Sequence, residues 1–123
     1  MRTKIYEVNA DNLQEKLDEL REAGRIIKEG GLVAFPTETV YGLGGNALDA
    51  ESSRKIYAAK GRPSDNPLIA HIAEMDGLYP LVKEVPETAK KLAECFWPGP
   101  LTMILKKNDN VPYATTGGLD TVA

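Results

Sequence analysis

The chain has 123 residues, enough for one domain burying roughly two-thirds of its unfolded surface and too few for a second of ordinary size. Hydrophobic residues at 42% and charged residues at 27% exclude a disordered or fibrous chain, and a net charge of −3 confines any nucleic-acid attraction to local patches. A single cysteine, Cys95, and a single histidine, His71, exclude an intramolecular disulfide and a Cys/His zinc site. No apolar run approaches the roughly 20 residues of a membrane span, so the sequence reads as a cytoplasmic protein with no membrane partner.

Leu13, Leu17, Leu20 and Ile27 recur at helical spacing among charged residues, which predicts an amphipathic helix over 11–29 capped by Asp11 or Asn12. Gly30 and Gly31 stop it, and the apolar run 32–35 predicts a buried strand ending at Pro36. Residues 37–46 mix hydroxyls with glycines and read as loop at a strand exit. Asp49 caps a second predicted helix running to Lys60, with Ile56 and Ala59 toward the core and Gly61 as its end. Two prolines make 62–67 a stiff connection into a strand over 68–72, where His71 points opposite Ala70.

A short helix is expected at 78–83 and another from Pro86 to Phe96, with Ala89, Leu92 and Phe96 on its apolar side. Cys95 then reads as an inert buried thiol, and Trp97-Pro98-Gly99-Pro100 as a packed corner. Residues 101–105 predict a strand, 106–110 a polar turn and 119–123 the opening of another strand. That last run stops at Ala123 without a following turn, which reads as a C-terminal truncation.

Arg54, Lys55, Lys60 and Arg62 form a local positive field with no acid between Ser52 and Arg62. Lys60 at a helix end and Arg62 beside Pro63 can aim an ammonium and a guanidinium at a polyphosphate, with Asn66 adding an amide. On charge alone the plainer reading is the stronger: Lys60 complements the helix dipole and Arg62 is solvated. Thr37 and Thr39 can bind a small polar ligand or close a turn on their own backbone. Gly42, Gly44 and Gly45 meet neither the P-loop nor the dinucleotide fingerprint. A lone strand histidine such as His71 is more often structural than a base or a carboxylate ligand. With no nucleophile–base set or carboxylate pair, an enzyme built on this chain works by placing reactants and neutralising charge.

Taken together, the runs Phe35-Pro36-Thr37-Glu38-Thr39-Val40-Tyr41-Gly42-Leu43-Gly44, Lys60-Gly61-Arg62-Pro63 with Asn66-Pro67-Leu68, and Phe96-Trp97-Pro98-Gly99-Pro100-Leu101-Thr102 resemble the Sua5/YrdC family. The resemblance covers nearly the whole chain and implies one YrdC-like domain over 1–123, the front part of the family's domain. It implies an α/β fold, a twisted mixed sheet with flanking helices whose final strands are missing. The family's arginine-containing strand and Ser-Ala-Asn segment, which help close the nucleotide site, would lie beyond Ala123.

The implied activity is L-threonylcarbamoyladenylate synthesis: L-threonine, bicarbonate and ATP give threonylcarbamoyl-AMP and pyrophosphate for modification of tRNA at position 37. The threonine amine takes up carbon dioxide as a carbamate, whose oxygen attacks the α-phosphate of ATP. By motif matching, Lys60 and Arg62 are the catalytic residues; Lys60, Arg62, Asn66 and Thr121 contact ATP; Thr39 and His71 contact L-threonine, with Thr37 and Tyr41 as further candidates. Mg²⁺ accompanies ATP without dedicated protein ligands. The implied partners are the downstream tRNA threonylcarbamoyl-transfer machinery and double-stranded RNA or tRNA. Two other readings stand beside this one: a noncatalytic RNA-binding domain using the Arg54–Arg62 cations, and a carbamoyl-transfer module related to hydrogenase maturation.

Overall fold

The computed structural model describes residues 2–123. Four α-helices and four strands follow in the order α1 (Leu17–Lys28), β1 (Val33–Phe35), β2 (Gly42–Gly44), α2 (Ala50–Lys60), α3 (Glu87–Phe96), β3 (Leu105–Lys106), α4 (Tyr113–Thr116) and β4 (Thr121–Val122), with 3₁₀ turns at Met75–Gly77 and Tyr79–Leu81.

The first helix starts six residues later than its apolar spacing suggests. The Asn9 side chain accepts from the Asp11 and Asn12 N–H groups, and Asn12 returns a bond to the Asn9 N–H, so the preceding backbone is spent on turns. Lys16 occupies the N-cap position without a side-chain cap. No residue of α1 is buried, and its leucines stay partly open to solvent. The Lys55 ammonium donates to the Gly30 carbonyl at 2.9 Å and ties the end of this segment to α2.

Strands β1 and β2 pair antiparallel in the register Val33↔Gly44, Ala34↔Leu43, Phe35↔Gly42, so part of the expected 37–46 loop is strand. The glycines are there for a ring: a Cβ on Gly44 would lie 2.7 Å from Phe35 Cε1, and one on Gly42 would lie 3.1 Å from its Cε2. The Thr37 hydroxyl closes the connection by donating to the Val40 carbonyl.

The α2 helix matches its sequence signals at both ends. Asp49 accepts from the Glu51 N–H at 3.0 Å, and Gly61 ends the helix at φ 59°. The Ser52 hydroxyl first, then the Glu51 N–H, hold the Asp49 carboxyl below its usual range. Ser52, Ser53, Ile56 and Tyr57 are the buried residues, whereas Ala59 is exposed. Ile56 thus faces inward as expected and Ala59 does not, and the inward face carries two serine hydroxyls.

A core of Leu78, Val82, Val111 and Val122 is covered by Ala70, Ile72, Met103, Leu105 and Trp97, among others. Strands β3 and β4 pair antiparallel beside it, Leu105↔Val122 and Lys106↔Thr121. Backbone bonds extend this ladder on both sides, Lys83 N–H to the Lys106 carbonyl at 3.0 Å and Ala70 N–H to the Ala123 carbonyl at 2.8 Å. The α/β class thus holds, with regular pairing confined to two short antiparallel ladders. Residues 68–72 are extended without regular ladder pairing, but Ala70 and Ile72 face the core while Ile69 and His71 face out, as period-two spacing requires. Residues 101–105 alternate in the same way, and only 105–106 pair.

The helix expected at 78–83 is a pair of 3₁₀ turns, with Pro80 inside the second. On α3 it is Ala89 and Ala93 that are buried; Leu92 and Phe96 are exposed, and so is Cys95. Lys107, expected in a polar turn, is buried: its ammonium donates to the Val111 carbonyl at 3.0 Å and sits 4.2 Å from the Tyr113 ring centre.

Candidate functional site

A cleft of about 230 Å³ opens between the β1–β2 hairpin, α2 and the 67–71 segment. Phe35, Thr37, Gly42 and Leu43 supply one wall, Ser53, Ile56 and Lys60 the second, and Pro67, Leu68, Ile69 and His71 the third. Gly45–Ala47, Arg62 and Thr115 complete it. Ser53, Ile56 and Lys60 share one helical face by their spacing of three and four.

Among the described residues that line the cleft there is no acid, and its charged or titratable members are Lys60, Arg62 and His71. Such a lining favours anions, with the ammonium and guanidinium suited to phosphate oxygens. The guanidinium is carried by a stiff loop: Tyr57 donates its hydroxyl to the Asn66 carbonyl at 2.7 Å, and burial pushes that hydroxyl's pKa up, so it stays a donor. His71 Nδ1 is 3.1 Å from the Ile69 carbonyl, which can only accept. The proton therefore sits on Nδ1, leaving Nε2 as an acceptor on the neutral ring and a donor on the imidazolium. The Phe35 ring meets the imidazole edge-on, 5.7 Å between centres.

Of the residues singled out in the sequence, Lys60, Arg62, His71 and Thr37 line this cleft together. Thr39 stands beside it, its N–H donating to the Thr37 hydroxyl at 3.2 Å. Tyr41 is 78% exposed, away from the lining. Asn66 takes part through its backbone carbonyl, and Thr121 lies in β4, opposite Lys106. The four cations do not form one patch: Arg54 pairs with Glu51 and borders a different groove, and Lys55 is committed to Gly30.

Sequence reasoning missed Ser53 and Thr115, and reached Asn46 only as the end of the 37–46 loop. Ser53 was legible only as a small residue three before Ile56 on the same helix face. The α4 helix, which carries Thr115, is four residues long and too short for a periodic signal; Pro112 before it and Gly117-Gly118 after it are its only marks.

Comparison with known proteins assigns the class: the model of the Sua5/YciO/YrdC family, described as telomere recombination, matches residues 25–123, and the chain belongs to that family. It is 59% identical over 114 residues to the threonylcarbamoyl-AMP synthase of Pyrococcus abyssi, covering 91% of this chain and 34% of the relative. It is 50% identical over 125 residues to the Bacillus subtilis threonylcarbamoyl-AMP synthase, covering 100% of this chain and 36% of the relative. The crystal structure of P. abyssi Sua5 complexed with L-threonine superposes with a TM-score of 0.81 at 60% identity, over 85% of this chain and 31% of that one. A solution structure of a Methanobacterium thermoautotrophicum protein matches 99% of the chain and 55% of its own, with a TM-score of 0.65 at 30% identity. The chain thus spans about a third of the length of these two synthases.

Proposed function

We propose that this chain carries the phosphate-binding and amino-acid-binding part of an L-threonylcarbamoyladenylate synthase, a nucleotidyltransferase. The observation that carries the reading is the acid-free cleft in which Lys60 and Arg62 share a lining with Thr37 and His71. The reaction needs two anions held together, a triphosphate and an N-carboxylated amino acid, and their repulsion is offset by fixed positive charge.

Lys60 and Arg62 bind the phosphates and stabilise the charge that develops on them as pyrophosphate leaves. Arg62 presents a planar fork for bidentate bonding, and Lys60 a mobile point charge. His71 turns its imidazole toward the L-threonine carboxylate, and Thr39 binds the amino acid from the hairpin turn. Asn66 and Thr121 contact ATP, and Tyr41 the amino acid, each from outside the lining of the cleft. The nucleophile is the substrate's own carbamate, formed from bicarbonate-derived carbon dioxide. Mg²⁺ would come with the nucleotide phosphates and its own waters, as magnesium needs few protein ligands. The product is a reactive mixed anhydride, consumed by a transferase that acts on tRNA in the cytoplasm. Arg54 facing Glu51 and Lys55 bonding the Gly30 carbonyl support the synthase reading ahead of a purely RNA-binding one.

ATP-to-pyrophosphate turnover, with L-threonine and bicarbonate each omitted in turn, tests the reading, paired with calorimetric binding of each ligand. Arg62→Ala is expected to weaken ATP binding about tenfold or more while leaving L-threonine within about twofold, and Thr39→Ala to do the reverse. Equal, negligible effects of both substitutions on both ligands would remove the site assignment. Binding of neither ligand by the folded chain would remove the functional reading.

A further inference from the structure

One buried residue bonds to two walls of the cleft and to the segment that follows β2. The Thr115 hydroxyl donates to the Ala47 carbonyl at 2.7 Å, in the segment that follows β2. Its oxygen lies 2.8 Å from Ser53 Oγ on α2. Its backbone carbonyl accepts from the Leu68 N–H at 3.0 Å, on the wall that carries His71. Both side chains are about 1% exposed. Because a carbonyl can only accept, the single Thr115 proton goes to Ala47, and Ser53 must be the donor in the hydroxyl pair. The directions of both bonds are therefore fixed, and the network has one arrangement. Two residues further on, Gly117 passes so close to the 65–67 backbone that a Cβ there would lie 2.8 Å from the Asp65 carbonyl oxygen.

We propose that Thr115 is a positioning residue, which sets the spacing between the α2 face bearing Lys60 and the extended segment bearing His71. This rests on the cleft being the ligand site. Ser53 is seven residues before Lys60, two turns along the same face, so a bond at Ser53 fixes the rotation of α2 that aims the lysine. Leu68 is three residues before His71 in an extended segment, so the Thr115 carbonyl sets how far the imidazole stands from that helix. Either ligand alone needs one wall, whereas both together need the walls in register.

The test uses Thr115→Val, which keeps shape but removes the hydroxyl, and Thr115→Ser, which keeps the hydroxyl. Affinities for ATP alone, for L-threonine alone and for each in the presence of the other are measured by calorimetry well below the melting temperature. Amide hydrogen exchange at Leu68 and Ala70 is followed in parallel. In Thr115→Val, exchange at Leu68 is expected to quicken at least tenfold with Ala70 unchanged. Each single-ligand affinity should move less than threefold, and the affinity for the second ligand should fall about tenfold, with Thr115→Ser restoring both. Unchanged exchange at Leu68 overturns the proposal. So does uniform quickening at every amide without rescue by serine, which marks a purely structural role. If the unsubstituted chain binds neither ligand, the functional reading fails, and the exchange result alone decides whether Thr115 fixes the walls.

Discussion

Lys107 shows what a single side chain contributes when its charge is out of water. Its ammonium is satisfied by the Val111 carbonyl and the face of Tyr113, and Tyr113 in turn donates its hydroxyl to Asp120 at 2.7 Å. That last bond raises the Tyr113 hydroxyl's pKa, so the ring stays neutral and keeps its π face toward the cation. Replacing Lys107 by alanine removes the packed stem and leaves the buried Val111 carbonyl without its donor, for an expected loss of about 2–3 kcal/mol in urea denaturation. Lys107→Met keeps the stem and should lose about 1 kcal/mol, the share of the ammonium; equal losses in the two variants would show that the packed stem contributes nothing. Nothing in the sequence marks Lys107 as different from Lys106 beside it, because alternation decides which of the two points inward and the alternation is set by pairing with β4.

At the level of elements, the signals that could be read were those written locally. The Asp49 cap and the Gly61 stop bound α2 as expected, since both act within one turn. The Asn9–Asn12 turns delayed α1 because side chains competed locally for the same N–H groups. The strand β2 was hidden, because its glycines look like loop until the Phe35 ring that covers them is known. That ring gives a direct test. Gly44→Ala places a methyl 2.7 Å from Phe35 Cε1 and should cost about 1–3 kcal/mol, with Phe35→Leu in the same chain recovering most of it. Failure of the second substitution to recover stability, read from denaturant midpoints, would mean that another contact excludes the Cβ. At the cleft, Lys60, Arg62, Thr37 and His71 could be singled out through the ordered motifs that contain them, since residue type alone favoured the plainer readings, whereas Ser53 and Thr115 are common small residues that matter through partners far away in sequence.

Across the whole molecule, burial is uneven. The cluster around Leu78, Val82, Val111 and Val122 is covered by Trp97, whose indole N–H donates to the Leu101 carbonyl at 2.9 Å. The first helix has no buried residue and is attached through the Lys55–Gly30 bond and the Lys4–Glu22 ion pair. Exposed ion pairs of that kind contribute roughly 0–1 kcal/mol, so α1 should melt before the core. On heating, the far-ultraviolet circular dichroism is expected to lose part of its helical signal before the fluorescence of the single tryptophan shifts. Coincident transitions would make the chain one cooperative unit. This division could not be read from sequence, where α1 carries the clearest helical pattern in the chain. Amphipathic spacing describes what a helix could bury, and the fold decides whether anything meets it.

The ring of Phe35 fills the space above Gly42 and Gly44, borders the cleft and touches His71. Positions 35 and 44 are therefore one steric decision shared between two strands. An aromatic at 35 requires glycine at 44, and a smaller residue at 35 would release that requirement. The breadth of the cleft beside the histidine is inherited with that pair rather than with the residues that bind.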